Sequence, residues 1–103
     1  MQAQDTTLRN MTSQLTLGLD FDDTFTADPD FWSKVIDLAI SHGHTVICVS
    51  GRRETFDNRR ELETALPDGI KVLLSYDQPK ADHAREKGYL VDIWIDDKPG
   101  MIQ

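Results

Sequence analysis

Four short apolar runs, Leu15–Asp20, Thr45–Ser50, Ile70–Ser75 and Leu90–Asp96, recur along this chain, and a stretch with helical signals separates each from the next. The second run, Thr-Val-Ile-Cys-Val-Ser, is β-branched and apolar throughout, as expected of a buried strand. Strands alternating with helices are the pattern of an α/β domain with a parallel sheet. The expected fold is therefore Rossmann-like, with three α/β/α layers and a short parallel sheet. Right-handed crossovers cover both faces of such a sheet only if the chain reverses its winding direction once. Ligands then bind at the carboxyl ends of the strands, at that reversal.

The punctuation between the runs agrees. Asp28-Pro29 supplies an N-cap and a proline at the first helical position, and Phe31, Val35, Leu38 and Ala39 follow at helical spacing up to a stop at Gly43. A second helix is expected from about Glu54 to Leu66, ended by Pro67-Asp68-Gly69, and a third from Pro79 to Lys87, stopped by Gly88. A turn, Lys98-Pro99-Gly100, follows the last strand. Residues 1–14, rich in Gln, Thr, Asn and Ser, read as a polar tail, which leaves 15–103 as one domain without repeats or an internal boundary.

A formal charge of −7 argues against broad, non-specific nucleic-acid binding, which needs a basic surface. Arg52, Arg53, Arg59 and Arg60 are a local exception, but Glu54, Asp57, Glu61 and Glu63 are interleaved with them, the usual composition of a solvated helix face. The single cysteine, Cys48, lies inside an apolar run and reads as a buried small hydrophobe. With no disulfide framework, no apolar stretch of membrane-spanning length and no signal-peptide core in residues 1–14, the expected setting is cytoplasmic, with no membrane partner. His42 and His44 flank Gly43 as helix-end residues, His83 reads as surface, and Trp32 and Trp94 read as core fillers. Tyr76, next to Ser75 at a strand end, borders the expected pocket.

The strand ends carry the chemistry. They read Asp20-Phe21-Asp22, Ser50-Gly51-Arg52, Ser75-Tyr76-Asp77 and Asp96-Asp97, so every strand delivers a polar or charged group to one sheet edge. Asp and Thr often do no more than mark a turn. Yet acids crowded at a strand tip repel one another unless a cation sits there. Two such tips side by side make a hard-oxygen cage suited to Mg²⁺, with Asp20, Asp22, Asp96 and Asp97 as candidate ligands. Lys80 falls in the first turn of a helix, where a cation opposes the dipole. It is either an anion holder acting with backbone N–H groups or a solvated surface lysine partly offset by Asp82.

In order, Asp20-Phe21-Asp22-Asp23-Thr24, Val49-Ser50-Gly51-Arg52, Lys80 and Asp96-Asp97 resemble the four motifs of the haloacid dehalogenase-like phosphatase superfamily, over residues 15 to 97. The Ser-Gly-Arg continuation also resembles the phosphatase domains of polynucleotide end-processing enzymes. The resemblance implies a minimal, capless core and a Mg²⁺-dependent phosphomonoester hydrolase. Asp20 would be the nucleophile that forms an aspartyl-phosphate, Asp22 the general acid and then base, and Lys80 the charge that holds the phosphoryl group. Ser50, Gly51 and Arg52 would contact substrate, as would Thr24, which also steadies the loop. Mg²⁺ would be held by Asp20, the backbone carbonyl of Asp22, and Asp96 or Asp97.

Two departures and one absence qualify this resemblance. Asp23 stands where the family has glycine, so the loop either loses freedom or gains an acid. Only Lys98–Gln103 follow the second acidic pair, where relatives continue. That leaves three expectations: a minimal enzyme, a sheet edge completed by a homodimer, or a degenerate module needing a partner. Four residues separate Thr24 from Pro29, which leaves no room for a cap. An open site of this kind suits a larger substrate such as a nucleotide or a nucleic-acid end, with Arg52 within reach of it. Other classes remain: a receiver-like phospho-acceptor, whose acceptor Asp would lie on a middle strand whereas here the middle strands are expected to end in Ser50 and Ser75, an inactive interaction module, and a two-metal nuclease core.

Overall fold

The computed structural model describes residues 14–103, so the expected polar tail, apart from Gln14, lies outside the described residues. Strands β1 (Thr16–Leu19), β2 (Thr45–Ser50), β3 (Lys71–Leu74) and β4 (Ile93–Ile95) form one all-parallel sheet in the order β3-β2-β1-β4. Helices α1 (Pro29–Ser41), α2 (Phe56–Ala65) and α3 (Lys80–Glu86) connect them, with short 3₁₀ turns at Phe25–Ala27 and Pro99–Met101. This is the small Rossmann-like α/β architecture expected from the sequence.

The chain steps outward from β1 to β2 to β3, then crosses back to lay β4 on the far side of β1. The single reversal therefore lies between β1 and β4, paired as Leu17↔Ile93, Gly18↔Trp94 and Leu19↔Ile95. The Asp20 N–H continues that ladder to the Ile95 carbonyl at 2.9 Å. The acids at the two strand ends are thus held side by side at the point where open parallel sheets bind ligands.

Alternation along the strands divides the core. Val46 and Cys48 of β2, with Leu19, Val72 and Leu74, pack on one face against Ile36 and Ala39 of α1 and Leu62 of α2. Ile47, Val49 and Leu73 pack on the other against Ala84 of α3. Beside the seven-residue α3, the partly buried Tyr89, Val91 and Trp94 pack on that second face. The Trp94 indole lies over Gly18, where a Cβ would come within 2.8 Å of two ring carbons. Glycine at 18 is what lets this ring reach the sheet.

Element ends follow local hydrogen bonds. Asp28 caps α1 by accepting from the Phe31 N–H at 3.2 Å, and Gly43 leaves the helix region at φ +88°. α2 starts at Phe56, later than the sequence predicts, because the Thr55 hydroxyl is its cap, accepting from the Asn58 N–H at 3.1 Å. β4 is shorter than predicted. The Asp92 N–H still donates to the Thr16 carbonyl at 2.8 Å, but the Thr16 N–H goes to the Asp92 carboxylate, also at 2.8 Å, and Leu90 is exposed. β4 is an edge strand with Ile93 exposed. His44 is a structural tie, its Nδ1 accepting from the Leu15 N–H at 3.0 Å. Among the described residues no helix is long and apolar enough to cross a membrane.

Candidate active site

Phe21 organises the loop after β1. Its ring is buried, stacks on Phe25 at 5.7 Å and anchors the chain in the core, while its flanking residues, Asp20 and Asp22, turn toward the sheet edge. Asp23 adopts φ +65°. Asp23 therefore takes the left-handed conformation a glycine adopts most readily, helped by its N–H donating to Thr26 Oγ1 at 2.9 Å. The loop keeps its turn and gains an exposed acid.

Lys80 resolves the alternative left open by its position. It is buried, and its Nζ donates to Asp20 Oδ1 and to Asp96 Oδ2, both at 2.7 Å. The surface reading is overturned: the side chain crosses from the start of α3 to join the ends of β1 and β4. Burial pushes the Lys80 ammonium down, but its hydrogen bonds to the two carboxylates outweigh that and leave it raised, hence protonated. Asp96 is fixed further by accepting the Lys98 N–H at 2.9 Å.

Asp20, Asp96 and Asp97 bring three carboxylate oxygens within 4.8 Å of one another. Burial raises Asp20 above the usual carboxylate range; Lys80 opposes the rise and nearby Asp97 adds to it. Asp97 is held low, first by its hydrogen bond with Asp20. The Thr24 hydroxyl lies 3.1 Å from Asp20 Oδ2 and 3.2 Å from Asp97 Oδ1, and it accepts the Asp97 N–H. Three acids facing one buried ammonium leave negative charge uncompensated, and the donors are hard oxygens. That set could hold a hard metal cation.

Asp22 stands apart from that cluster. Arg52 grips its carboxylate with two bonds, Nε to Oδ2 at 2.9 Å and Nη2 to Oδ1 at 2.8 Å. The same guanidinium bonds Glu61 at 2.8 Å and Asn58 at 3.3 Å and lies over the Phe21 ring, 5.4 Å from its centroid. Hydrogen bonds to Asp22 and then Glu61 raise Arg52 still further. Arg52 is thus committed to protein acids rather than held free for substrate, and the Asp22 carboxylate is not part of the cluster formed by Asp20, Asp96 and Asp97.

An open cavity of about 250 Å³ lies over the cluster, lined among others by Asp20, Asp22, Gly51, Arg52 and Lys80. Two other expected contacts lie beneath it. Ser50 is buried and its Oγ accepts the Arg52 N–H at 3.1 Å, so it shapes the loop while Gly51 faces the cavity. Thr24 is a buried brace under Asp20 and Asp97. Lys98 and Met101 also line the cavity and were missed. The 3₁₀ turn carries Met101 back until its Cε would lie 3.0 Å from a Cβ on Gly51, and the Ile102 carbonyl takes the Ala81 N–H at 2.8 Å. The Pro99-Gly100 turn was the only sequence signal of that return. Arg59 is spent on Glu54 and Glu63, as the solvated-face reading expected.

Strand position does not separate this site from a receiver-like one. The inner strands are β1 and β2, ending at Asp20 and Ser50, whereas Ser75 ends an edge strand. The expectation that Ser75 closes a middle strand is corrected by the crossover that puts β4 beyond β1. No family model, curated protein or solved structure matches the chain.

Proposed function

We propose that this chain is a Mg²⁺-dependent phosphomonoester hydrolase that works through an aspartyl-phosphate. The observation that carries the reading is the buried Lys80 bridging Asp20 and Asp96 at 2.7 Å beneath an open cavity at the topological switch. A lysine there sets the Asp20 carboxylate in place and leaves a cation facing the phosphoryl oxygens as negative charge develops.

In the first step a carboxylate oxygen of Asp20 forms a bond to phosphorus as the ester P–O bond breaks. The departing alkoxide takes its proton from Asp22. A water then attacks phosphorus and breaks the bond to Asp20, releasing phosphate, and its proton goes to Asp22. Asp22 lines the cavity but is gripped by Arg52, so it must leave that pair to act. Mg²⁺ held by Asp20, the Asp22 carbonyl and Asp96 or Asp97 would offset repulsion between the carboxylates and an anionic substrate.

The test is phosphate release from a panel of phosphomonoesters, with Mg²⁺ and with chelator, for wild type beside Asp20→Asn. Release that requires both Mg²⁺ and Asp20 is expected. Mg²⁺ binding with no release from any ester would assign a non-catalytic module instead. A labelled protein that never turns over would indicate a receiver-like acceptor.

A further inference from the structure

The sheet edge that carries the acids also carries an aromatic group the proposed reaction does not use. Tyr76 follows β3 after Ser75 and adopts φ +52°, a region a bulky residue enters only at a conformational cost. That cost places a ring, 47% of the residue being exposed, at the carboxyl edge of the sheet. Arg53, which follows Gly51 and Arg52 after β2, lays its guanidinium 4.4 Å from the ring centroid. Its Nη2 also donates to the Tyr76 hydroxyl at 2.5 Å. The loops after two neighbouring strands are thereby joined through one cation–aromatic plate.

The plate borders a second cavity, about 190 Å³, whose wall includes Tyr76 and Met101. Met101 is also part of the wall of the acid cavity, so the two spaces adjoin across one flexible side chain. For a phosphomonoester with its phosphorus at Asp20, the group on its ester oxygen would reach the second cavity by displacing the Met101 side chain that the two cavities share. The group that an exposed tyrosine backed by arginine holds best is a flat, aromatic one.

We propose that Tyr76, backed by Arg53, is a stacking platform for the base of a phosphorylated nucleoside, and so determines the substrate class of this site. The proposal rests on the phosphohydrolase reading for its catalytic arm only. The acidic balance of −7 favours a free mononucleotide over a long strand, which would have to follow a basic surface.

The experiment compares kcat/KM in Mg²⁺ for a nucleoside 5′-monophosphate, a short oligonucleotide with a terminal phosphate, and ribose 5-phosphate as the base-free ester. Wild type is run beside Tyr76→Gly, which relaxes the backbone while removing the ring, and Tyr76→Trp, which keeps an aromatic face. The nucleotide-to-ribose-phosphate ratio is expected to fall roughly five- to hundredfold in the glycine variant and to recover in the tryptophan variant. A ratio unchanged by Tyr76→Gly overturns the platform. A greater loss with the mononucleotide or with the oligonucleotide supports the platform and says which source it serves.

A second measurement does not depend on turnover. The nucleoside monophosphate, and separately ribose 5-phosphate, is titrated into wild type while the Tyr76 ring signals are followed by NMR. Ring shifts with the nucleotide alone support the platform even if no ester is hydrolysed, in which case only the phosphohydrolase reading falls. No ring shift at millimolar nucleotide overturns the platform.

Discussion

Gly18→Ala tests how the second face of the sheet is built. The added methyl would lie 2.8 Å from two carbons of the Trp94 ring and 3.0 Å from Val91 Cγ1. Carbon contacts relax near 3.5–4.0 Å, so the indole has to retreat by roughly 0.7 Å or more. Trp94 sits directly opposite Gly18 in the β1–β4 register, so the retreat pushes on the strand that ends at Asp96 and Asp97. Overpacking of this kind costs about 1–3 kcal/mol. For a domain this small each kcal/mol is worth roughly 4–8 °C in Tm. The assay is urea unfolding of wild type, Gly18→Ala, Trp94→Leu and the double variant. If the indole is the obstacle, the alanine should cost clearly less in the Trp94→Leu background, with a coupling in the usual range of about 0.5–3 kcal/mol for residues in contact. Equal cost in both backgrounds, or no cost in wild type, would refute the account of Gly18 as the ring's seat.

Two further outcomes are expected. Lys80→Met leaves Asp20 and Asp96 without their buried partner and should destabilise the metal-free protein by about 3–5 kcal/mol, read from urea unfolding in chelator; an unchanged midpoint would remove the two ion pairs from the stability of the fold. Burial pushes the Cys48 thiol up to about 12 from its ordinary value of 9.0, so unfolded chains lose that proton first as pH rises. The group's contribution is therefore fully present below pH 9.0 and declines as pH climbs toward 12, a slope that Cys48→Ala should lack in unfolding midpoints. At pH 8 a thiol reagent should label the native protein far more slowly than the urea-unfolded chain, and comparable rates would mean the residue is not held inside.

What could be read in advance was whatever depended on short stretches of chain. The run Thr45–Ser50 gave β2 with its observed ends because an uninterrupted apolar run has one way to be covered on both sides. Asp28-Pro29 gave the start of α1 because cap and proline act within one turn. The gathering of acids at one edge followed from strand polarity alone. What could not be read depended on partners far along the chain. The Asp92 carboxylate takes the Thr16 N–H across 76 positions, and Arg52 turns to Asp22 across 30. Strand order is likewise non-local, which is why Ser75 was expected on a middle strand and stands at an edge. Lys80 is the instructive mixture: its sequence position flagged it as anomalous for a helix start, and only the crossover to β4 showed which acids made the anomaly worthwhile.

The separations in the acid cluster also bear on the order in which the molecule comes together. Asp20 meets Lys80 across 60 positions, and Thr24 meets Asp97 across 73, whereas β1 pairs with β2 and β2 with β3, each the next strand in sequence. Contacts between distant segments form slowly because the chain must first close a long loop. The three consecutive strands can therefore associate while the charged tip of β1 still faces water, and the acid cluster is completed only when β4 joins. That strand is three residues long and lies at an edge, so it is also the first to fray. Amide exchange should then be faster at Ile93–Ile95 than in β2, with the acid cluster opening in step with that edge while the rest of the domain stays folded.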